Sequence, residues 1–114
     1  MRKSRVMAKT VLIVDDDPTQ RRLMRAVCER GGYPVLQADS GEAALTLLQS
    51  QEGAEVSLIM LDLRMPGLGG METLKRVKAM REDLPVIVLT AQGGVDTVVE
   101  AMQNGAADFF VKPA

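Results

Sequence analysis

Three consecutive aspartates, Asp15, Asp16 and Asp17, directly follow a short aliphatic run. Clustered carboxylates can ligate a hard cation, and a single carboxylate can attack an electrophilic centre. Two interpretations compete. Separated by one residue, Asp15 and Asp17 have the spacing of a nucleophile and a general acid. As direct neighbours, Asp15 and Asp16 have the arrangement of one wall of a metal site whose nucleophile lies elsewhere in the chain.

The segments around these aspartates alternate between short apolar runs and stretches with helical periodicity. This alternation is typical of β-α-β units around a parallel sheet, and right-handed crossovers then make the sheet doubly wound. We predict strands at 10–14, 34–38, 56–61, 85–90 and 108–111, and helices within 18–32, 39–50, 71–82 and 96–105. The predicted fold class is therefore α/β.

Capping residues and apolar spacing predict how the helices begin and which faces they bury. Asp17 is the expected cap of the first helix, and Asp39 or Ser40 caps the second. The apolar spacing in the first helix predicts a buried stripe with the arginines facing outward. The stripe comprises Leu23, Met24, Val27 and Cys28, and the outward set comprises Arg21, Arg22, Arg25 and Arg30.

Polar residues stand at the carboxyl ends of four of the predicted strands. In an open α/β sheet, ligands bind outside these ends, so the side chains there are expected to converge. They are Asp15 and Asp16 after the first strand, Asp62 after the third, Thr90 and Ala91 after the fourth, and Lys112 after the fifth.

Composition excludes several other kinds of chemistry. The 114 residues contain no histidine and one cysteine, Cys28, so nucleophile–histidine pairs, imidazole ligands and zinc clusters are excluded. The formal net charge of −1 does not indicate a nucleic-acid or anionic-membrane partner. A lone cysteine, no secretory signal and no apolar run long enough to span a bilayer together predict a cytoplasmic protein.

Three carboxylates at one sheet edge repel each other unless a positive charge compensates. Two unit charges 4 Å apart cost about 4 kcal/mol at an effective dielectric constant of 20. Mg²⁺ takes one or two carboxylates and shares oxygens with phosphate, so we predict a Mg²⁺ site. Phosphoryl transfer suits this arrangement, with Asp62 attacking, Lys112 holding oxygens and Thr90 donating a hydrogen bond.

Five ordered features, namely four motifs and the spacing between them, resemble the receiver domains of two-component response regulators. The four motifs are "VDDD", "LDLRMPG", "LTA" and "GAADFFVKP", and the resemblance extends from about Thr10 to Pro113. It implies a flavodoxin-like sheet with strand order 2-1-3-4-5. It also implies a signalling phospho-acceptor that catalyses only its own phosphorylation and slow dephosphorylation, and not an enzyme in the usual sense.

The resemblance assigns a role to individual residues. Asp62 is the implied phospho-acceptor, and Asp15 and Asp16 form the acidic pocket. Mg²⁺ is held there by Asp16, Asp62 and the main-chain carbonyl of Arg64. Thr90, the amide of Ala91 and Lys112 contact the phosphoryl group, Thr90 and Phe109 form a conformational switch, and the Lys112–Pro113 bond is cis. Two positions depart from the usual pattern, with Gly69 where aspartate is common and Phe109 where tyrosine is frequent.

Two alternatives remain beside this interpretation. The spacing of Asp15, Asp17 and Thr19 also resembles haloacid-dehalogenase-type phosphatases, with Asp15 as nucleophile. That mechanism needs further acidic residues after its lysine, and it leaves Asp62 without a role. The other alternative is a receiver-like binding module that is never phosphorylated, although such modules typically lose one of the acidic, hydroxyl or lysine positions.

The expected organisation is a disordered leader at 1–9, followed by a receiver domain at 10–114 that lacks the last helix. Without that helix an apolar sheet face is left, which either further residues or a second copy of the chain would cover. The expected partners are a sensor histidine kinase and an output domain beyond Ala114 that regulates transcription. The motifs "LRMPG" and "FFVKPA" resemble receivers attached to ATPase and DNA-binding domains, while this domain itself contacts neither nucleic acid nor membrane.

Overall fold

The computed structural model describes residues 9–65, 67–91 and 94–112. Five parallel strands form one sheet in the order β2-β1-β3-β4-β5, which confirms the predicted flavodoxin-like topology. The strands are β1 (Thr10–Val14), β2 (Val35–Ala38), β3 (Val56–Asp62), β4 (Val86–Thr90) and β5 (Asp108–Val111). The α-helices are α1 (Pro18–Arg30), α2 (Gly41–Leu48), α3 (Gly70–Met80) and α4 (Val95–Gln103), and a short 3-10 helix precedes β3.

The first two helices begin at side-chain caps. The carboxylate of Asp17 accepts a hydrogen bond from the N–H of Thr19 at 2.9 Å, and Pro18 follows in the first turn. The hydroxyl of Ser40 accepts a hydrogen bond from the N–H of Ala43 at 3.0 Å and caps α2. The alternative cap, Asp39, was therefore wrong. Both caps fix how the chain turns back from the carboxyl edge of the sheet.

The closed core lies on the face of the sheet that α2, α3 and α4 cover. Leu12 and Val14 of β1, Ile59 and Leu61 of β3, and Val86 and Val88 of β4 are all buried there. From the helices, the core receives Ala44, Leu48, Leu74, Val77 and Ala101. This side of the sheet therefore buries one face of α2 and one face of α3.

The opposite face is open beside α1, and here the predicted buried stripe was wrong. No residue of α1 is buried, and the side chains of Leu23 and Val27 are 57% and 71% exposed. The helix packs against β1 and β2 at the margin of a groove of about 490 Å³. The groove is lined by Val11, Val27, Leu58, Met60, Ile87 and Phe110, among others. An amphipathic helix buries its stripe only if neighbouring elements close over it.

Gly70 brings the start of α3 against the end of β3. A Cβ at this position would lie 2.5 Å from the carbonyl oxygen of Asp62 and would also overlap the backbone of Leu63. We expect Gly70→Ala to lower the free energy of unfolding by about 1–3 kcal/mol, because the backbone must move to accommodate the methyl group. Urea unfolding measures this loss.

Gly31→Ala is the matched control for this substitution. Its Cβ would meet its nearest neighbour, the ring of Tyr33, at an ordinary 3.4 Å, and its φ of −79° suits alanine. Equal stability of the two variants would contradict the close approach of α3 to β3.

No helix of the described residues is both long and apolar enough to cross a membrane.

Candidate functional site

The carboxyl ends of β1 and β3 bring three aspartates together. Asp15, Asp16 and Asp62 each offer a carboxylate oxygen, and these oxygens lie within 4.8 Å of one another. Asp15 and Asp62 are buried, with 0% and 3% of their surface exposed, whereas Asp16 is open to solvent. The cluster therefore has two fixed carboxylates inside and one at its mouth.

Lys112 reaches this cluster from the end of β5. Its Nζ lies 3.3 Å from Oδ2 of Asp15 and 3.2 Å from Oδ2 of Asp62. The main-chain N–H of Lys112 donates to the carbonyl of Thr90 at 2.7 Å, so the side chain starts from a fixed position beside β4. One ammonium group thus lies between the two buried carboxylates.

Backbone hydrogen bonds hold both buried carboxylates in place. Oδ1 of Asp15 accepts from the N–H of Asp17 at 2.9 Å, and Oδ1 of Asp62 accepts from the N–H of Arg64 at 3.0 Å. The N–H of Asp15 donates to the carbonyl of Ala38 at 3.1 Å, which ties the end of β1 to the end of β2. In each aspartate, Oδ1 is anchored to the backbone and Oδ2 faces Lys112.

The surroundings shift the pKa values of Asp62 and Lys112. Burial raises the pKa of Asp62 above its usual 3.8 and the charge of Asp15 adds to the increase, while the N–H of Arg64 and the charge of Lys112 oppose it. Burial by itself lowers the pKa of Lys112, but the negative charges of Asp62 and Asp15 outweigh it, so the net shift is upward. The site therefore favours a proton or another positive charge close to Asp62.

Hard oxygen ligands at this spacing fit a divalent cation such as Mg²⁺ better than a softer metal. The cluster holds three carboxylates, and among the described residues one ammonium group, that of Lys112, pairs with them. Arg64, whose main-chain carbonyl is a predicted Mg²⁺ ligand, follows Asp62 by two residues and is exposed. The cluster thus retains both ligands and charge for a cation.

Thr90 and Ala91 lie at the end of β4, next to the cluster along the sheet edge. The hydroxyl of Thr90 donates to the carbonyl of Ala91 at 3.2 Å, and Thr90 is buried. Thr90 also lines an apolar cavity of about 190 Å³ together with Val95, Val98 and Phe109. Phe109 is 40% exposed at this cavity. The two predicted switch residues therefore border the same space.

The loop after β3 is held by a contact that sequence reasoning missed. Glu42, in the first turn of α2, accepts a hydrogen bond from the N–H of Leu68 at 3.2 Å, across 26 residues. Gly69 in this loop has a φ of +83°, a conformation that glycine adopts without strain. This explains why glycine suits a position where the family commonly has aspartate.

The predicted cis bond at Lys112–Pro113 and residues 1–8 lie outside the described residues.

Arg21 was also missed, since the apolar spacing of α1 placed it among the outward-facing arginines. Its side chain turns back along the helix, and Nη1 donates to the main-chain carbonyl of Asp15 at 2.7 Å. A local signal for this contact would have been its position one turn after the Asp17 cap. Arg22 and Arg25 are exposed as expected.

We expect Lys112→Met to destabilise the metal-free protein at neutral pH by about 3 kcal/mol. Removal of one partner from a buried ion pair costs about 3–5 kcal/mol, and the lower end applies here. Lys112 keeps 21% of its side chain exposed, which moderates the loss. The raised folded-state pKa of Lys112 means that its contribution is complete below 10.5 and is lost as the pH rises through the folded value. Urea unfolding across pH measures the difference from the wild type.

The difference should also shrink in acid, where Asp62 becomes protonated and no longer needs a counter-charge. Lys75→Met, at an exposed position of α3, is the control and should change stability little. A Lys112→Met loss that stays constant from acid to alkaline pH would show that lost packing, and not charge, causes it.

Taken together, fold and site define a doubly wound sheet with an acidic, lysine-bearing edge, and comparison with known proteins identifies its class. The chain belongs to the response regulator receiver domain family, whose family model matches residues 11–114.

Individual relatives agree with this assignment. Response regulator protein FleR of Pseudomonas aeruginosa is 41% identical over 107 residues, which cover 94% of this chain and 22% of FleR. Sporulation initiation phosphotransferase F of Bacillus subtilis is 37% identical, and the match covers 95% of this chain and 85% of the phosphotransferase. The crystal structure of NtrX from Brucella abortus superposes with a TM-score of 0.87 at 30% identity, and the match covers 95% of this chain and 24% of the NtrX chain. The chain thus spans about a fifth of the length of FleR.

Proposed function

We propose that this receiver domain accepts a phosphoryl group on Asp62 in the presence of Mg²⁺ and passes a signal through a change in the surface formed by α4 and β5. The observation that carries the proposal is the placement of Lys112 between two buried carboxylates, 3.2 Å from Asp62 and 3.3 Å from Asp15, beside an exposed third carboxylate. Such a site positions reactants and neutralises charge, which is most of what phosphoryl transfer requires.

Each residue has a distinct part in the proposed transfer. An Oδ atom of Asp62 forms a bond to phosphorus while the bond from phosphorus to the donor breaks, and its electron pair leaves with the donor. Lys112 lies close enough to Asp62 to donate a hydrogen bond to an oxygen of the transferred phosphoryl group. The Thr90 hydroxyl and the Ala91 amide lie at the end of the neighbouring strand, β4. Asp15, Asp16 and Asp62, with the Arg64 carbonyl, would hold Mg²⁺. When bound, Mg²⁺ neutralises negative charge on the transferring oxygens.

The cavity between Thr90 and Phe109 supports a two-state switch. A hydrogen bond from the Thr90 hydroxyl to a phosphoryl oxygen would replace its present bond to the Ala91 carbonyl and draw the side chain toward Asp62. Phe109 could then fill the cavity of about 190 Å³ that it borders. A phosphoryl group would thereby shift the population between two positions of Phe109. Lacking a hydroxyl, Phe109 would signal through shape alone.

The domain is proposed to act in the cytoplasm between a sensor histidine kinase and an output domain beyond Ala114. The names of relatives support a role in transcription, because Escherichia coli ZraR, 38% identical over 103 residues, is described as a transcriptional regulatory protein. An ATPase and DNA-binding output remains the expectation from the sequence. The open groove beside α1 supports the further prediction that an additional segment or a second copy covers this face.

The test is incubation of the purified chain with acetyl phosphate and Mg²⁺, followed by intact-mass measurement and peptide mapping. We expect one acid-stable, base-labile phosphoryl group on the peptide that carries Asp62. Label on Asp15 would instead favour the phosphatase interpretation. An unlabelled, folded chain that binds Mg²⁺ would favour a binding module.

A further inference from the structure

We propose that Arg21 is a positioning residue for the acidic cluster, holding the peptide bond between Asp15 and Asp16 so that both carboxylates face one cation. The inference rests on the proposed Mg²⁺ site and concerns a residue outside its ligand set. Arg21 acts through a main-chain carbonyl, since its Nη1 donates to the oxygen of Asp15 at 2.7 Å.

The Asp15–Asp16 peptide bond joins the two residues whose carboxylates must face the same cation. Because a peptide bond is planar, fixing the Asp15 carbonyl also fixes the N–H and Cα of Asp16. Asp15 is already held on its other side, where its N–H donates to Ala38 and its carboxylate accepts from the N–H of Asp17. Asp16 is exposed, and no hydrogen bond of its side chain appears among the contacts of the described residues. Arg21 therefore supplies the constraint nearest to Asp16, the exposed carboxylate of the cluster.

Because Arg21 donates to a main-chain carbonyl and not to a carboxylate, its role is to position the cluster and not to neutralise its charge. Arg21 donates to a neutral carbonyl, while the ammonium group that pairs with the carboxylates comes from Lys112. A guanidinium close to the cluster repels a divalent cation, so its charge alone would weaken binding. Its hydrogen bond strengthens binding by keeping Asp16 in place. The two effects have opposite signs, and removal of Arg21 reveals which one is larger.

The location of Arg21 makes this contact specific to its position on α1. Arg21 lies one turn into the helix and is half-buried, while its neighbour Arg22 is exposed. It borders a cleft of about 370 Å³ with Gln37, Ala38, Asp39 and Ala43, at the carboxyl end of β2. An outward-facing arginine on the same turn therefore offers a control of equal charge.

The experiment is calorimetric titration of Mg²⁺ into the wild type, Arg21→Ala, Arg21→Lys and Arg22→Ala, with folding of each verified by circular dichroism. We expect Arg21→Ala to weaken Mg²⁺ binding about tenfold, the lower end of the range for residues that support a metal ligand. Arg21→Lys keeps a donor on a long side chain and should remain within about threefold of the wild type. Arg22→Ala should bind like the wild type.

A second measurement, in the absence of metal, follows the backbone amide resonances of Asp16 and Asp17 by NMR. Arg21→Ala should shift both signals, because the carbonyl that precedes Asp16 loses its hydrogen bond, and Arg22→Ala should leave them in place. Mg²⁺ affinity that is unchanged or higher in folded Arg21→Ala would overturn the inference. A wild type that binds no Mg²⁺ would overturn the proposed function and this inference together.

Discussion

Asp62→Asn is expected to gain no phosphoryl group from acetyl phosphate under conditions in which the wild type is labelled. The substitution removes the attacking carboxylate but keeps a side chain of the same shape. Its one amide oxygen can still accept from the N–H of Arg64, while Lys112 keeps Asp15 as its partner. Intact-mass measurement after a fixed incubation decides the result. Asp83→Asn, in the exposed turn before β4, is the control and should be labelled like the wild type.

The same variant should be more stable than the wild type at neutral pH without metal. The folded-state pKa of Asp62 lies above 3.8, so the folded protein holds its proton to a higher pH than the unfolded chain does. Stability is then lost as the pH rises from 3.8 through the folded value, and the full penalty is present at neutral pH. Asparagine carries no such penalty. A stability gain that persists in strong acid, or labelling equal to the wild type, would contradict the role of Asp62.

Asp16→Ala is expected to weaken Mg²⁺ binding strongly. Substitution of a residue that only supports a metal ligand weakens binding by about 10–100-fold, and loss of a ligand itself should exceed this. The lost group is a charged ligand, and a water molecule that replaces it brings no charge. Metal-free Asp16→Ala should be at least as stable as the wild type, because one of three neighbouring negative charges is gone. Calorimetric titration and thermal melting provide the two measurements.

Asp17→Ala offers a matched control at the next residue. Its carboxylate lies outside the cluster of three and caps α1, so its removal should cost about 1 kcal/mol of stability and leave Mg²⁺ affinity close to that of the wild type. The two variants should therefore show opposite patterns. Equal Mg²⁺ affinity in Asp16→Ala and the wild type would remove Asp16 from the proposed ligand set.

Much of the fold follows from short-range patterns in the chain. Val11 to Val14 form an apolar run that ends at aspartate, and β1 spans Thr10–Val14, all of them buried. Asp17 followed by Pro18 predicts where α1 begins, because capping depends on neighbours only a few residues away. The convergence of Asp15, Asp62 and Lys112 was predictable as well, since parallel strands must share a carboxyl edge.

Features that depend on distant neighbours were less accessible. The spacing of Leu23 and Val27 is that of a buried stripe, yet burial requires an element on the other side, and periodicity does not reveal whether one is present. The contact of Glu42 with Leu68 joins residues 26 apart, and Arg21 has the spacing of a solvated arginine. Hydrogen bonds of this kind depend on loop geometry, which the pattern of residue types does not encode.

The open groove beside α1 has a consequence for local unfolding. Detachment of α1 from the sheet would expose little additional apolar surface, because none of its residues is buried, whereas detachment of α3 would expose Leu74 and Val77. The free energy of local opening should therefore be lower for α1, and its amide hydrogens should exchange with solvent deuterium sooner than those of α3. Since Asp17 caps this helix and Arg21 ties it to Asp15, a cation held by the acidic cluster would slow the exchange of α1 in particular. Metal occupancy could then be measured as slower hydrogen exchange of α1, a helix that supplies none of the three clustered carboxylates.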